Sequence, residues 1–297
     1  MRVLFVTSSR IGDAVLSTGL LDHLLRRHPD ARFTVATGPV AEGVFLRMPR
    51  LDRLILLEKR RYGLHWPALW AAVAMTRWDL VVDIRASALA WLLMARRRAV
   101  MRRRGGHKTA QLAAILGLDP PPLPVAWTAP ADRARAAALV PPGPPVLALG
   151  PTANWAGKVW PAERFVALAR ALLAGPMAGA RIAVIAGPGA AERAMAAPVL
   201  AGLPGAIDLT GRLTLPEAAA VLKGAALFVG NDSGLMHLAA AAGAPTLGLF
   251  GPTPVAEYAP AGRRTATAIA GGGDMANLRV DDALAAAAGL IVLEHVA

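Results

Sequence analysis

One pattern occurs twice in this chain: a short apolar run typical of a buried strand, then a polar loop, then a segment with helical spacing. In the first half the strand-like runs are VLFVT, RFTVAT, LDRLILL and DLVVDIR, and helices are predicted up to Pro29, from Ala41 and over 66–76. In the second half the runs are VLALG, RIAVIAG, AIDLTG, ALFVG and TLGLFG. Strands that alternate with helices predict parallel sheets with helices on both faces.

The Pro-rich segment VPPGPP, residues 140–145, separates the two halves and suits neither a helix nor a central strand. It predicts a boundary between an N-terminal domain, 1–143, and a C-terminal domain, 144–297. The predicted fold class is α/β, with two Rossmann-like doubly wound domains that face each other across a cleft. Ligands of such sheets bind beyond the carboxyl ends of the strands, so each polar loop after a strand is a candidate wall of the site.

Composition narrows the class of protein. The 297 residues include no Cys, which excludes disulfides and Cys-based metal sites. The longest apolar runs, WPALWAAVAM and ALAWLLMA, are shorter than the roughly 20 residues of a membrane-spanning helix. The start, MRVLFVTSS, lacks the features of a signal peptide. We therefore expect a cytoplasmic protein.

The net charge of +12 comes entirely from the first half, because residues 146–297 hold 10 basic and 10 acidic side chains. Two clusters are the densest: Lys59, Arg60 and Arg61, and then Arg96, Arg97, Arg98, Arg102, Arg103, Arg104 and Lys108. This asymmetry predicts an anionic partner for the N-terminal half: nucleic acid, a phosphorylated glycolipid or a membrane face. The alternative is a compositional bias without function.

The stretch GNDSGLMHLAAAAGAP, residues 230–245, predicts a phosphate site. Asp232 or Ser233 suits the N-cap of a helix that ends at Gly243, and its free N–H groups favour a phosphate. Gly234 allows close approach, and His237 shares a helix face with Ser233 and leans back toward the N-terminus. The alternative is that Asp232 only caps the helix and His237 is a packed core residue.

Two other loops of the second half carry candidate ligands. In GPTANWAGKVWP, Lys158 could neutralise a diphosphate, with Thr152 and Asn154 as further donors; the alternative is an exposed lysine between two packing tryptophans. In GPGAAER, Glu192 could accept hydrogen bonds from ribose hydroxyls, or could simply be an acidic residue at a helix start.

In the first half, the loop SSRIGDAV places Asp13 at a helix start, where it is either an N-cap or a general base that is kept ionised by the helix N-terminus. The loop lacks the glycines of a dinucleotide fingerprint. The sequence contains no H-E-x-x-H, nucleophile elbow or Walker A motif, and its six His are scattered, so we expect no metal site.

The stretch GNDSGLMHLAAAAGAPTLGLFGPT closely resembles the nucleotide-sugar signature of glycosyltransferase family 9, the ADP-heptose:lipopolysaccharide heptosyltransferases, which have the GT-B fold. The segments IGDAVLSTGLLDHLLRRHPDARFTVAT, DLVVDIR and NWAGKVWPAERF resemble that family in order and position. The resemblance thus covers nearly the whole chain.

The resemblance implies an inverting, metal-independent transferase without a cofactor that moves heptose from ADP-heptose onto the inner core of lipopolysaccharide. It implies that Asp13 deprotonates the acceptor hydroxyl and that Lys158, Asp232, Ser233, Gly234 and His237 hold the ADP diphosphate. The anionic Kdo carboxylates and lipid A phosphates would match the basic first half, where Arg60 and Arg61 are the candidate acceptor-binding residues. We expect no nucleic acid partner, and a peripheral location on the inner face of the cytoplasmic membrane.

Two features depart from the family pattern. The phosphate loop has Thr152-Ala153-Asn154 where more hydroxyls are expected, and after Val280 only one Ala-rich helix and GLIVLEHVA remain, which predicts a curtailed return to the first domain. Two other functions stay open at this point. A sugar-nucleotide epimerase of the same fold would consume the donor without an acceptor, and a nucleic-acid-binding protein would use the Arg clusters.

Overall fold

The computed structural model describes residues 1–102 and 104–291 and divides into two compact units, Met1–Trp127 and Thr128–Ala297. Arg103 of the basic cluster and the end of the GLIVLEHVA segment lie outside the described residues. The division precedes the Pro-rich segment at which the sequence predicts the boundary. The reason is that the helix Pro130–Leu139 packs against the helix Leu215–Lys223 and so belongs to the second unit.

The first unit is built on a parallel sheet with the strand order β3-β2-β1-β4-β5. Its strands are β1 (Arg2–Val6), β2 (Arg32–Thr37), β3 (Leu51–Leu56), β4 (Trp78–Asp83) and β5 (Ala95–Val100). The chain leaves β1 toward β2 on one side and returns to β4 on the other. The carboxyl ends of β1 and β4 therefore flank a topological switch point, where doubly wound sheets bind ligands.

The helices of the first unit are α1 (Ile11–Arg27), α2 (Glu42–Phe45), α3 (His65–Val73) and α4 (Lys108–Ala113). The helix predicted from Ala41 is thus a single turn. α1 and α4 pack together, whereas α3 and the 3-10 turn Ala88–Trp91 cover a sheet face. Leu69 and Val73 of α3 share that core with Leu89, Leu4 and Val81.

The second unit is built on a parallel sheet with the order β11-β10-β9-β6-β7-β8. Its strands are β6 (Val146–Gly150), β7 (Arg181–Val184), β8 (Ile207–Asp208), β9 (Leu227–Asn231), β10 (Thr246–Phe250) and β11 (Thr265–Ile269). The chain reverses between β6 and β9, so the loops after these two strands flank the switch point of this sheet.

Helices lie on both faces of the second sheet: α5 (Pro130–Leu139), α6 (Ala162–Ala174), α7 (Ala190–Gly202), α8 (Leu215–Lys223), α9 (Gly234–Ala242), α10 (Val255–Tyr258) and α11 (Val280–Ile291). α6 packs with α7 and α11, and α8 packs with α5 and α9. The two parallel α/β units confirm the predicted α/β class and the two Rossmann-like domains. Within the described ranges, no helix combines the length and apolarity needed to cross a membrane.

Candidate active site

The loop between β9 and α9 has the predicted local structure. The fully buried strand ends at Asn231, and Ser233 is the N-cap of α9, where its hydroxyl accepts a hydrogen bond from the backbone N–H of Met236. Gly234 is the first helical residue, and Gly243 ends the helix in the left-handed region, at φ 95°. The backbone N–H groups of the first turn therefore face the end of the strand, as an anion site requires.

Asp232 is not the cap, because Ser233 occupies that position; the Asp232 carboxylate is instead held by Lys158. The Lys158 ammonium lies 2.6 Å from Asp232 Oδ2, and 22% of the lysine side chain and 7% of the aspartate side chain are exposed. The pair joins the loop after β6 to the loop after β9, at the switch point of the sheet. An ammonium has three N–H donors, so two remain for a bound anion.

His237 lies beneath this pair rather than on the surface. Its ring is buried, and Nε2 lies 4.0 Å from Asp232 Oδ1. The predicted direction of the side chain, back toward the helix N-terminus, is thus observed, but its neighbour is the Asp232 carboxylate. His237 can act on a ligand through the position and charge of Asp232.

Asn231 is a site residue that sequence reasoning missed. Its side chain is fully buried; Nδ2 donates to the carbonyl of Pro151 at 2.9 Å, and Oδ1 accepts from the backbone N–H of Trp160 at 3.1 Å. Pro151 and Trp160 lie at the two ends of the loop that carries Lys158. The one signal in the sequence is a polar residue that continues a fully apolar strand.

Two glycines keep the floor of this site flat. Gly150 and Gly230 are paired on neighbouring strands. A Cβ on Gly230 would lie 2.6 Å from the Phe228 ring and 2.9 Å from the carbonyl oxygen of Gly150, and a Cβ on Gly150 would lie 2.7 Å from the same ring. Any side chain at either position would displace the core under the two loops.

The other predicted ligands of the second unit lie along the same sheet edge. Thr152 is buried and Asn154 is exposed. Glu192 is in the first turn of α7, and its carboxylate folds over Gly187 and Gly189. Lys158 does not lie between two packing tryptophans, because Trp160 is fully buried but Trp155 is mostly exposed.

In the first unit, the N-cap alternative for Asp13 is wrong. The N-cap of α1 is Arg10, and Asp13 lies within the first turn, where its Oδ2 is 3.4 Å from the Ser8 hydroxyl that donates to it. The loop is fixed by Thr37, whose hydroxyl donates to the carbonyl of Ser8 at 2.8 Å. Because Arg10 is the N-cap, the Asp13 carboxylate has no capping role. Asp13 is half-buried, so part of its carboxylate is accessible to a ligand.

Asp83 ends β4, beside the loop that holds Asp13. Burial raises the pKa of this carboxyl, while hydrogen bonds from Ser87 and from the backbone N–H of Arg85 oppose the rise. The carboxylate accepts hydrogen bonds from the Ser87 hydroxyl at 2.6 Å and from the backbone N–H groups of Arg85 and Ser87, each at 2.9 Å. Asp83 thus shapes the turn after β4.

The predicted acceptor-binding arginines follow β3. Arg60 and Arg61 are both exposed, and the Arg61 guanidinium lies 4.6 Å from the centroid of the Tyr62 ring. Among the described residues, no group of three or more His, Asp or Glu side chains could hold a metal ion.

Comparison with known proteins gives concordant results. The family model described as glycosyltransferase family 9 (heptosyltransferase) matches residues 84–286. Lipopolysaccharide heptosyltransferase 1 of Pseudomonas aeruginosa is 31% identical, over 85% of this chain and 79% of the relative.

Solved structures share the fold. A glycosyl transferase family 9 protein from Veillonella parvula superposes with a TM-score of 0.84 at 19% identity, over 98% of this chain and 97% of the other. ADP-heptose lps heptosyltransferase II from E. coli gives 0.78 at 20% identity, over 99% and 100%. UDP-GlcNAc 2-epimerase from Methanocaldococcus jannaschii is more distant, with a TM-score of 0.58 at 12% identity over 98% and 93%.

Proposed function

Because this chain belongs to glycosyltransferase family 9, we propose that it transfers heptose from ADP-heptose to the inner core of lipopolysaccharide. The activity in the name of the Pseudomonas relative supports this substrate class. The single observation that carries the proposal is the Lys158–Asp232 ion pair beside the N-terminus of α9, at the switch point of the second sheet.

In the proposed reaction, an acceptor hydroxyl attacks the anomeric carbon of the donor and the bond from that carbon to the diphosphate breaks. Negative charge develops on the leaving ADP. The Lys158 ammonium and the N–H groups after Ser233 supply positive charge where it forms, and groups placed in this way before the reaction contribute most to such steps. Thr152, Asn154 and Glu192 are the proposed partners of the rest of the nucleotide.

Asp13 is the proposed base. It takes the proton that the attacking hydroxyl loses, and the product sugar has the inverted configuration because a single displacement occurs. Asp13 lies in the first turn of α1, and the Ser8 hydroxyl holds Oδ2 in position.

The proposed acceptor is an anionic glycolipid on the cytoplasmic face of the inner membrane. The surplus of positive charge in the first half matches Kdo carboxylates and lipid A phosphates, and Arg60 and Arg61 are the proposed contacts.

The test compares Asp13→Asn with Lys158→Met. Asp13→Asn should lower kcat by about 100-fold or more and leave the stabilisation by ADP in a thermal-shift assay unchanged. Lys158→Met should lower both kcat and the stabilisation by ADP, because it removes a group that contacts the diphosphate in the proposed site. The matched controls are Asp22→Asn, on the same helix, and Lys223→Met, at the end of α8, and both should behave as wild type.

If the activity of Asp13→Asn stays within a fewfold of wild type, Asp13 is not the base. Stronger stabilisation by UDP or GDP than by ADP would contradict the donor. Consumption of the donor without any acceptor would indicate an epimerase instead.

A further inference from the structure

The outer side of α3 lacks the charged residues of an ordinary surface helix. The segment LHWPALWAAVAM, residues 64–75, contains no Asp, Glu, Lys or Arg, and neither does ASALAWLLMA, residues 86–95. The first segment forms α3, and the second forms the 3-10 turn Ala88–Trp91 and the residues around it. A helix at the surface of a globular protein normally has a polar outer face.

The two segments form one continuous surface. Their inner side chains, including Leu69 and Leu93, belong to the same core cluster. On the outside, the indole Nε1 of Trp70 donates to the carbonyl of Leu92 at 3.3 Å and so ties α3 to the turn. The large apolar side chains that are exposed here are Leu64, Trp70, Met75, Trp91, Leu92 and Met94, and Trp91 and Leu92 are 66% and 67% exposed. We call this set the α3 surface.

Arginines surround the α3 surface. Arg60 and Arg61 precede α3, and Arg77 follows it. Arg77 also lines an open depression with Met94, Arg96 and Arg98, in which Asp79 is the one acidic residue. The Arg98 guanidinium lies 5.9 Å from the centroid of the Trp91 ring. These arginines form a positively charged rim around the exposed apolar side chains of the α3 surface.

We propose that the α3 surface binds the bilayer directly, through anionic phospholipid headgroups at its arginine rim and insertion of Trp91 and Leu92 at its centre. Tryptophan prefers the interface between water and acyl chains, and a basic rim around an apolar face is the pattern of proteins that lie on anionic membranes. A second copy of this chain fits less well, since a two-fold contact through this surface would place arginine rim against arginine rim.

The position of the α3 surface suits a lipid acceptor. α3 begins just after Arg60 and Arg61, which follow the carboxyl end of β3, and its nine residues extend about 14 Å. A glycolipid in the contacted bilayer would thus present its sugars toward the edge of the sheet that carries Asp13. This inference rests on the proposed function for its choice of acceptor, but the surface can be tested separately.

The experiment measures co-sedimentation of the full chain with vesicles of phosphatidylethanolamine and phosphatidylglycerol, and with vesicles of phosphatidylcholine alone. Wild type should bind the anionic vesicles, which contain phosphatidylglycerol, much more strongly than the vesicles of phosphatidylcholine alone. The double variant Trp91→Ser/Leu92→Ser should bind them roughly tenfold more weakly, because two exposed apolar side chains no longer enter the bilayer. The double variant Arg77→Gln/Arg96→Gln should lose the preference for anionic lipid; Arg98 is left intact because it donates to the carbonyls of Ala90 and Leu93.

The matched control is Ile269→Ser, which removes an apolar side chain that is 57% exposed on β11 and should bind vesicles as wild type does. Circular dichroism spectra and melting temperatures equal to those of wild type show that each variant is folded. Vesicle binding that is unchanged in Trp91→Ser/Leu92→Ser, or equal on neutral and anionic vesicles, would overturn the proposal. So would a dimer in sedimentation equilibrium that this double variant abolishes.

Heptose transfer to a lipid-free core oligosaccharide separates the two proposals. If wild type binds anionic vesicles through the α3 surface but transfers no heptose, the proposed function fails alone. If it transfers heptose while the substitutions leave vesicle binding unchanged, the membrane surface fails alone.

Discussion

Asn231 shows how one buried amide can position a proposed catalytic group that it does not touch. Its two hydrogen bonds hold Pro151 and Trp160, so the loop between them can place the Lys158 ammonium beside Asp232. Both partners are backbone groups in the interior, and an amide side chain can serve them at once because its Nδ2 donates and its Oδ1 accepts. Asn231 therefore acts as a positioning residue in the proposed donor site.

Asn231→Ala should destabilise the protein by about 2–3 kcal/mol, because it leaves a buried carbonyl and a buried N–H without their partner. It should also weaken ADP binding. Denaturant unfolding and ADP titration measure the two effects. The control is Asn277→Ala, which loses one exposed hydrogen bond to Gly271 and should change neither quantity appreciably. A variant as stable as wild type that binds ADP normally would refute the positioning role.

Some of these residues could be predicted from the sequence and others could not. Ser233 and His237 follow from helical spacing within one short stretch. The partners of Asn231 are 71 and 80 residues away in the chain, so no local pattern reveals the contact. The same holds for the ion pair of Lys158, whose partner is 74 residues away.

Strand β9 depends on the absence of a side chain at Gly230. Gly230→Ala should cost about 1–3 kcal/mol, because the added methyl would overlap the Phe228 ring and the Gly150 carbonyl in a packed interior. Gly289→Ala is the matched control: its Cβ would enter open space on α11, and alanine should stabilise that helix by about 0.5–1 kcal/mol. Denaturant unfolding of both variants measures the change in the free energy of unfolding, which should be negative for Gly230→Ala and positive for Gly289→Ala. Equal changes in the two variants would contradict the prediction.

The strands that the sequence did not reveal lie at sheet edges. β5 and β11 each pair on one side only, and their sequences, ARRRAV and TATAI, lack the long apolar run of a central strand. An edge strand has less buried surface and often carries charge that prevents pairing with another chain. Central strands such as β1, β6 and β9 were predictable because their side chains are buried on both faces.

The two halves of the chain differ in charge, so salt should affect the two proposed substrates differently. Raising the salt concentration from about 0.1 M to about 1 M shortens the Debye length from about 10 Å to about 3 Å. The KM for a lipid-free core acceptor should rise several-fold, because Arg60 and Arg61 are exposed. ADP affinity should change less, because Lys158 is mostly buried.

Steady-state kinetics at several salt concentrations measure this effect. Arg60→Gln/Arg61→Gln should raise the acceptor KM at low salt and flatten its salt dependence. Arg26→Gln/Arg27→Gln, which removes two exposed arginines at the end of α1, is the control that should keep the wild-type slope. The same slope in both double variants would rule out Arg60 and Arg61 as acceptor contacts.

The 2.6 Å contact between Lys158 and Asp232 means that the proposed donor site contains its own counter-ion. At a distance the pair is nearly neutral, so a simple buffer anion gains little by approaching it. A diphosphate gains more, because it can contact the two remaining ammonium protons and the end of α9 together. In the proposed donor site, discrimination between the nucleotide and the small anions of the cell would thus depend on the number of simultaneous contacts rather than on a single positive charge.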